Sequence, residues 1–269
     1  MMRVTASDGA RLAVADAGPR GAPAVVFLHS IGCDGGMWAA QVAALAGHRT
    51  ICVDLRGHGA SDAPAGDYAL ARLAEDVADV LAALSAPEAV VCGLSLGGLV
   101  AQAFALRTPA QVRGLVLANT AARIGSPEAW SDRAALVRAE GLGAIADLAM
   151  GRFFSDGFRA THPQEVAGCR DRLLAMSAGG YAGCCAALRD GDLRDDIGRI
   201  GAPVLVIGGA HDVSTPPQQT RALAAAIPGA DHVELDAGHL SNVEQPRAFA
   251  AALAQHMESC RWTSANATN

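Results

Sequence analysis

The sequence has 269 residues, of which 51% are hydrophobic and only 18% charged, enough to enclose a sizeable core and too apolar for intrinsic disorder. A formal net charge of −6 excludes the basic footprint that a nucleic-acid partner needs. All 21 basic residues are arginine, which excludes a Walker phosphate loop, a Schiff-base lysine and the usual pyridoxal phosphate attachment.

Met2 to Ala17 reads as two short strands joined at Ser7-Asp8-Gly9. Val25 to His29 is a continuous apolar run, the pattern of a strand covered on both faces. A short helix is predicted from Gly35 to Ala46, a strand from Thr50 to Leu55, and a loop at Arg56-Gly57-His58-Gly59-Ala60-Ser61. Tyr68 to Leu84 carries helical spacing, with Leu70, Leu73, Val77, Val80, Leu81 and Leu84 on one stripe. Next comes a β-branched run, Ala89 to Cys92, then Gly93-Leu94-Ser95-Leu96-Gly97, then a small-residue helical run from Gly98 to Leu106. Further strands are predicted at Val112–Asn119, Val204–Gly209 and His232–Leu235, with helices at Gln218–Ile227 and Gln245–Met257. Strands alternating with helices imply an α/β fold with a mostly parallel twisted sheet and helices on both faces.

One block breaks the alternation. Between Thr120 and Ile200 no strand is predicted, only helices at Glu128–Ala139, Leu142–Met150 and Pro163–Met176. The expected organisation is therefore a core of residues 1–120 and 201–258, an inserted helical cap of residues 121–200, and a polar tail of residues 259–269. The seven cysteines are odd in number and form no C-x-x-C, so they read as buried hydrophobes in a reducing compartment. Arg3 and Asp8 interrupt any signal peptide. The longest uncharged run, Ala89 to Leu106, holds three glycines, Ser95 and Gln102 and suits a buried turn better than a membrane span. A soluble cytoplasmic protein is expected, without membrane or nucleic-acid partners; its oligomeric state is not legible.

The chemistry starts at Ser95. Strand, sharp turn and helix around G-x-S-x-G are the context of a nucleophile elbow, and a side chain at Gly93 or Gly97 would crowd that turn. An ordinary glycine-rich turn with an idle serine has the same pentapeptide, so the partners decide. A serine nucleophile needs a base, and the base an orienting acid, in the chain order Ser, Asp or Glu, His. The loop after Gly209 offers Asp212 and the loop after the last strand offers His239. Asp212 could instead cap the helix near Pro216, and Asp236 competes as the acid but suits the turn beside His239. The backbone N–H groups of Leu96 and Ile31 are the expected oxyanion donors. The other histidines read as solvated or structural, His58 as part of a packed loop, and none has metal-ligand spacing. No metal or organic cofactor is expected.

Taken together, the chain resembles the 3-oxoadipate enol-lactonases of the α/β-hydrolase superfamily. The likeness rests on His29-Ser30-Ile31-Gly32-Cys33-Asp34 with Met37-Trp38, on Asp54 to Ser61, and on Cys92 to Gly98. It continues through Ala118 to Gly125 with Trp130 and Arg133, and through His239 to Pro246. Within the cap, Arg152-Phe153-Phe154 and Gly180 to Asp190 look like segments of this subfamily, whereas the elbow is common to the superfamily. His29 stands where several relatives carry Asn. The resemblance implies hydrolysis of 3-oxoadipate enol-lactone to 3-oxoadipate through Ser95, His239 and Asp212. The substrate carboxylate would meet Arg133, with Trp130 as an apolar wall. Another serine hydrolase of the same fold, either a carboxylesterase or a carbon–carbon bond hydrolase, fits the same motifs, as does a receptor built on the fold.

Overall fold

A computed structural model describes residues 1–260. The chain begins with β1 (Met2–Thr5), β2 (Arg11–Ala17), β3 (Ala24–Leu28), α1 (Ala39–Ala44), β4 (Arg49–Val53) and α2 (Leu70–Ala83). It continues with β5 (Ala89–Leu94), α3 (Leu96–Arg107) and β6 (Val112–Ala118). A helical stretch follows: α4 (Pro127–Glu140), α5 (Ala146–Phe153), α6 (Asp156–Thr161), α7 (Pro163–Leu174) and α8 (Ala178–Asp190). Then come β7 (Val204–Gly209), α9 (Pro217–Ala226), β8 (Asp231–Leu235), the single turn α10 (Ser241–Glu244) and α11 (Pro246–Ser259).

The apolar runs β3, β4, β5 and β7 are buried at every residue, as strands covered on both faces must be. They belong to one eight-stranded sheet of order β1-β2-β4-β3-β5-β6-β7-β8. β1 and β2 form an antiparallel hairpin, and β2 joins β4 antiparallel; every other pairing is parallel. From β3 the chain crosses to β4 on one side and returns to β5 on the other. Strand order reverses there, so the loops after β3 and β5 part at their carboxyl ends and leave a crevice. The Leu73, Val77, Val80 and Leu81 stripe of α2 is fully buried, as its spacing predicts, with Leu70 only partly so. All seven cysteines are buried and free, in line with their reading as small hydrophobes. Among the described residues no helix is long and apolar enough to cross a membrane.

Several boundaries differ from expectation. The predicted helix at 35–46 opens with a 3-10 turn, Gly35–Trp38, capped by the Asp34 carboxylate on the Gly36 amide. The single helix expected at 142–150 is a 3-10 turn, Leu142–Ile145, running into α5, because Gly141 at φ +77° reorients the chain just before it. The last helix runs to Ser259, two residues beyond the expected end at Met257 and one residue into the expected tail; residues 261–269 of that tail lie outside those described. Neither α6 nor α8 is expected from periodicity. Each has a side-chain cap: Ser155 Oγ accepts from the Phe158 amide and Ser177 Oγ from the Gly180 amide. In α8 two glycines are close contacts. A Cβ on Gly180 would stand 2.4 Å from Gly57 Cα, and one on Gly183 would stand 2.8 Å from the Tyr68 ring.

The loop after β4 is anchored electrostatically. Arg56 is buried and forks onto Asp76 of α2 through two 2.6 Å hydrogen bonds, with a third bond of 2.9 Å to Asp8. Such a charge survives burial only because it is bidentately paired.

Candidate active site

Ser95 sits between β5 and α3 at φ +58° and ψ −116°, a strained conformation for a residue with a side chain. The surroundings enforce it. The Ser95 amide donates to the Ala118 carbonyl at 3.0 Å, the Gly97 amide to the His29 carbonyl at 3.1 Å, and the Thr120 hydroxyl to the Ser95 carbonyl at 2.8 Å. A Cβ at Gly93 would stand 2.2 Å from the Gly97 carbonyl oxygen, and one at Gly97 would stand 2.2 Å from that of Leu28. Both positions therefore admit only glycine, as the pentapeptide implies.

The loops after β7 and β8 lie against each other, and a Cβ on Gly209 would stand 2.3 Å from the Gly238 carbonyl. This contact brings His239 Nδ1 to 2.8 Å from Asp212 Oδ2, both residues buried. The carboxylate is saturated with donors. Its Oδ1 accepts the Ser214 and Thr215 amides at 2.7 and 3.0 Å; its Oδ2 accepts the Thr215 hydroxyl at 2.7 Å and Asn119 Nδ2 at 2.9 Å. Burial pushes the Asp212 carboxyl up, but the His239 charge and hydrogen bond, with Asn119 and Thr215, outweigh it and hold the group below the ordinary carboxylate range. Asp212 does not cap α9, whose N-cap is Pro216. Asp236 is elsewhere, exposed and 2.7 Å from His211 Nε2. Phe153 stacks on the His239 ring at 6.2 Å and 19°.

Ser95 and His239 face one cavity of about 110 Å³, and among the described residues no hydrogen bond joins them. Such bonds are commonly loose until substrate is held. Ile31, Trp130 and Arg133 line the same cavity, so the expected oxyanion loop and both expected substrate residues converge on it. The Trp130 indole N–H donates to the Ile124 carbonyl at 2.6 Å, and the Arg133 guanidinium lies 5.1 Å over its ring. Among the described residues, the backbone N–H groups of Ile31 and Leu96 have no acceptor, which suits donors kept for a developing charge. A larger groove of about 770 Å³ lies behind the acid loop, between Phe158, His162, His211 and Asp236, and neither Ser95 nor His239 opens into it.

Sequence reasoning misses three contributors. Arg152, on α5, lines the cavity beside Phe153; an arginine on a helix gives no sign of which way it faces. Ser214 lines it too, and its hydroxyl bonds the Arg152 carbonyl at 3.5 Å. Asn119 braces the acid, donating to Asp212 while its own Oδ1 accepts the Ser241 hydroxyl at 2.5 Å. The clue is position: Asn119 follows directly on a central strand, as Ser95 does. Two arginines, Arg133 and Arg152, and no acidic residue line this cavity, in a chain of formal net charge −6.

Comparison with known proteins adds the relatives. The family profile described as "alpha/beta hydrolase fold" matches residues 23–246. Over 247 residues the chain is 42% identical to 3-oxoadipate enol-lactonase 2 of Acinetobacter baylyi, covering 91% of this chain and 92% of that one. The solved enol-lactonase from Burkholderia xenovorans LB400 superposes with a TM-score of 0.93 at 41% identity, covering 96% of this chain and all (100%) of the other. A thermophilic esterase from Thermogutta terrifontis, solved with malate bound, has a TM-score of 0.90 at 33% identity, covering 96% and 98% of the two chains.

Proposed function

Because this chain belongs to the α/β-hydrolase family, we propose that it opens 3-oxoadipate enol-lactone to 3-oxoadipate, by way of an acyl-enzyme on Ser95. It is a hydrolase acting on ester bonds. His239 takes the Ser95 proton as the hydroxyl oxygen attacks the lactone carbonyl, and the Ile31 and Leu96 N–H groups hold the oxyanion. Collapse breaks the bond to the ring oxygen. The leaving enol oxygen is protonated from His239 and the enol tautomerises to the ketone. Water deprotonated by His239 then releases the acyl group, while Asp212 keeps the imidazole proton on Nδ1 throughout. The helical stretch α4 to α8 acts as a cap over this chemistry.

One observation carries the substrate class: the cavity beside Ser95 is walled by Arg133 and Arg152 and by no acidic residue. A carboxylate entering it loses water and needs a charge-assisted partner. The curated relatives named 3-oxoadipate enol-lactonase and the malate-bound esterase point the same way. Freshly generated enol-lactone, followed by loss of its absorbance, should be turned over many times per enzyme and in preference to p-nitrophenyl esters of neutral acids. A preference for neutral esters would favour a general carboxylesterase.

Arg133 takes the carboxylate end of the substrate, with Trp130 as its apolar wall. Arg133→Ala should raise KM for the lactone with kcat little changed, by about 1.5–3 kcal/mol, roughly 10- to 150-fold. A steady-state KM equal to the parent's removes Arg133 from the site.

A further inference from the structure

The loop carrying Ile31 is held from behind by an imidazole that the chemistry above does not use. His58, from the Arg56-Gly57-His58-Gly59 turn, is buried, and the Gly32 amide donates to its Nε2 at 3.0 Å. An amide can only donate, so Nε2 is the bare nitrogen of a neutral ring and the proton sits on Nδ1. That nitrogen faces the Arg56 carbonyl at 3.3 Å and Cys184 Sγ at 3.8 Å. Gly32 follows Ile31 directly at φ +77°, and the Cys33 amide closes the turn on the Ser30 carbonyl at 3.1 Å. On the other side, His29 accepts the Leu55 amide on Nε2 at 2.9 Å, so its Nδ1–H is left to donate to the Ser30 carbonyl at 2.8 Å. The two peptides that bracket Ile31 are therefore each tied to an imidazole.

We infer that His58 is a positioning residue of the oxyanion loop, its Nε2 fixing the Ile31–Gly32 peptide so that the Ile31 N–H stays aimed into the cavity. Peptide planarity makes this effective, because holding the Gly32 N–H also sets the Ile31 carbonyl and leaves Ile31 little freedom to turn. The ring itself cannot swing away. Arg56 is locked on Asp76 and Asp8, and the Asp54 carboxylate ties Ala60 to Gly35 by bonds of 2.9 and 2.7 Å. From above, α8 closes the turn: Gly180 packs on the Gly57 backbone and the Tyr181 ring lies 6.2 Å from that of His58. Burial, with the His29 ring 5.1 Å away, pushes the His58 imidazole down to about 3, so it remains an acceptor at working pH.

This inference rests on the proposed role of Ile31, so its test uses probes any serine hydrolase accepts. p-Nitrophenyl acetate reports acylation, and phenylboronic acid reports affinity for a tetrahedral adduct; Ser95→Ala run alongside decides the reading of the site separately. Outright loss of an oxyanion donor costs about 10²–10³ in kcat, and a loosened donor less. His58→Leu should lower kcat about 10- to 100-fold with KM within about twofold, and weaken phenylboronate in parallel. His58→Gln, whose Oε1 can accept in place of Nε2, should recover to within about threefold of the parent. A folded His58→Leu with parental kcat, or equal losses in the Leu and Gln variants, overturns the inference and leaves only packing. Should His58→Leu not fold, nitrogen-15 spectra of the parent decide: His58 must be neutral and protonated on Nδ1 from about pH 5 to about pH 9. A ring that titrates in that window, or carries its proton on Nε2, overturns it equally.

Discussion

Ser95→Ala is expected to lower kcat for the enol-lactone by on the order of 10⁶, with the fold and the affinity for product unchanged. The size follows from the role: removing a nucleophile abolishes the covalent route and leaves only whatever the oxyanion donors and binding contribute. The fold should tolerate the change because it deletes one oxygen. Alanine meets the same backbone at φ +58°, held by the same Ala118, His29 and Thr120 contacts, and the glycines at 93 and 97 remain to admit the turn. Single-turnover mixing with excess enzyme, followed by intact-mass measurement, should show an acyl adduct on the parent and none on the variant. A variant that opens the lactone at a rate within about tenfold of the parent would show that Ser95 is not the nucleophile.

The parts of this site legible in the sequence are those set by local sterics or by strand ends. Gly93 announces the elbow because the Gly97 carbonyl, inside the same five residues, leaves no room for a Cβ; Gly97 is held to glycine by the Leu28 carbonyl at the end of the neighbouring strand β3. His239 and Asp212 are legible because a parallel sheet brings the loops after neighbouring strands β7 and β8 to one edge, whatever their separation in sequence. What escapes is long-range and side-chain specific. Asn119 reaches an acid 93 positions away, and its place at a strand end does not say which loop its side chain meets. Helix α8 escapes because Gly179, Gly180 and Gly183 lower its intrinsic propensity; tertiary contact with Gly57 and Tyr68 overrides that. His58 is read correctly as part of a packed loop, while its bond to Gly32 depends on how two loops after different strands meet.

The second large effect belongs to the acid. Asp212→Asn should lower kcat by about 10⁴ while leaving the cavity shape intact. The reason is donor arithmetic around one carboxylate. Five donors converge on it: the Ser214 and Thr215 amides on Oδ1, and the Thr215 hydroxyl, Asn119 Nδ2 and His239 Nδ1–H on Oδ2. Two backbone amides cannot turn away, so the carboxamide oxygen of an asparagine must take the Oδ1 place and its NH₂ the Oδ2 place. There it points a donor at His239 Nδ1, which must become the bare nitrogen, and the ring proton moves to Nε2. An imidazole protonated on Nε2 cannot accept from Ser95, so the base is lost although every atom is nearly in place. Asn119 is left facing a second NH₂, a contact that Asp212→Asn combined with Asn119→Asp should relieve in stability and not in rate.

The measurement belongs near neutral pH, where the sign is unambiguous. Because the folded carboxyl lies below its ordinary range, its stabilising contacts are complete above the unfolded carboxylate pKa and fade only as pH falls through the lowered folded value. At pH 7 position 212 carries a full carboxylate charge in the parent and a neutral amide in the variant, so the comparison isolates the acid. An Asp212→Asn protein with more than about a tenth of parental kcat would mean that His239 keeps its tautomer without the carboxylate, and that the orienting group lies elsewhere.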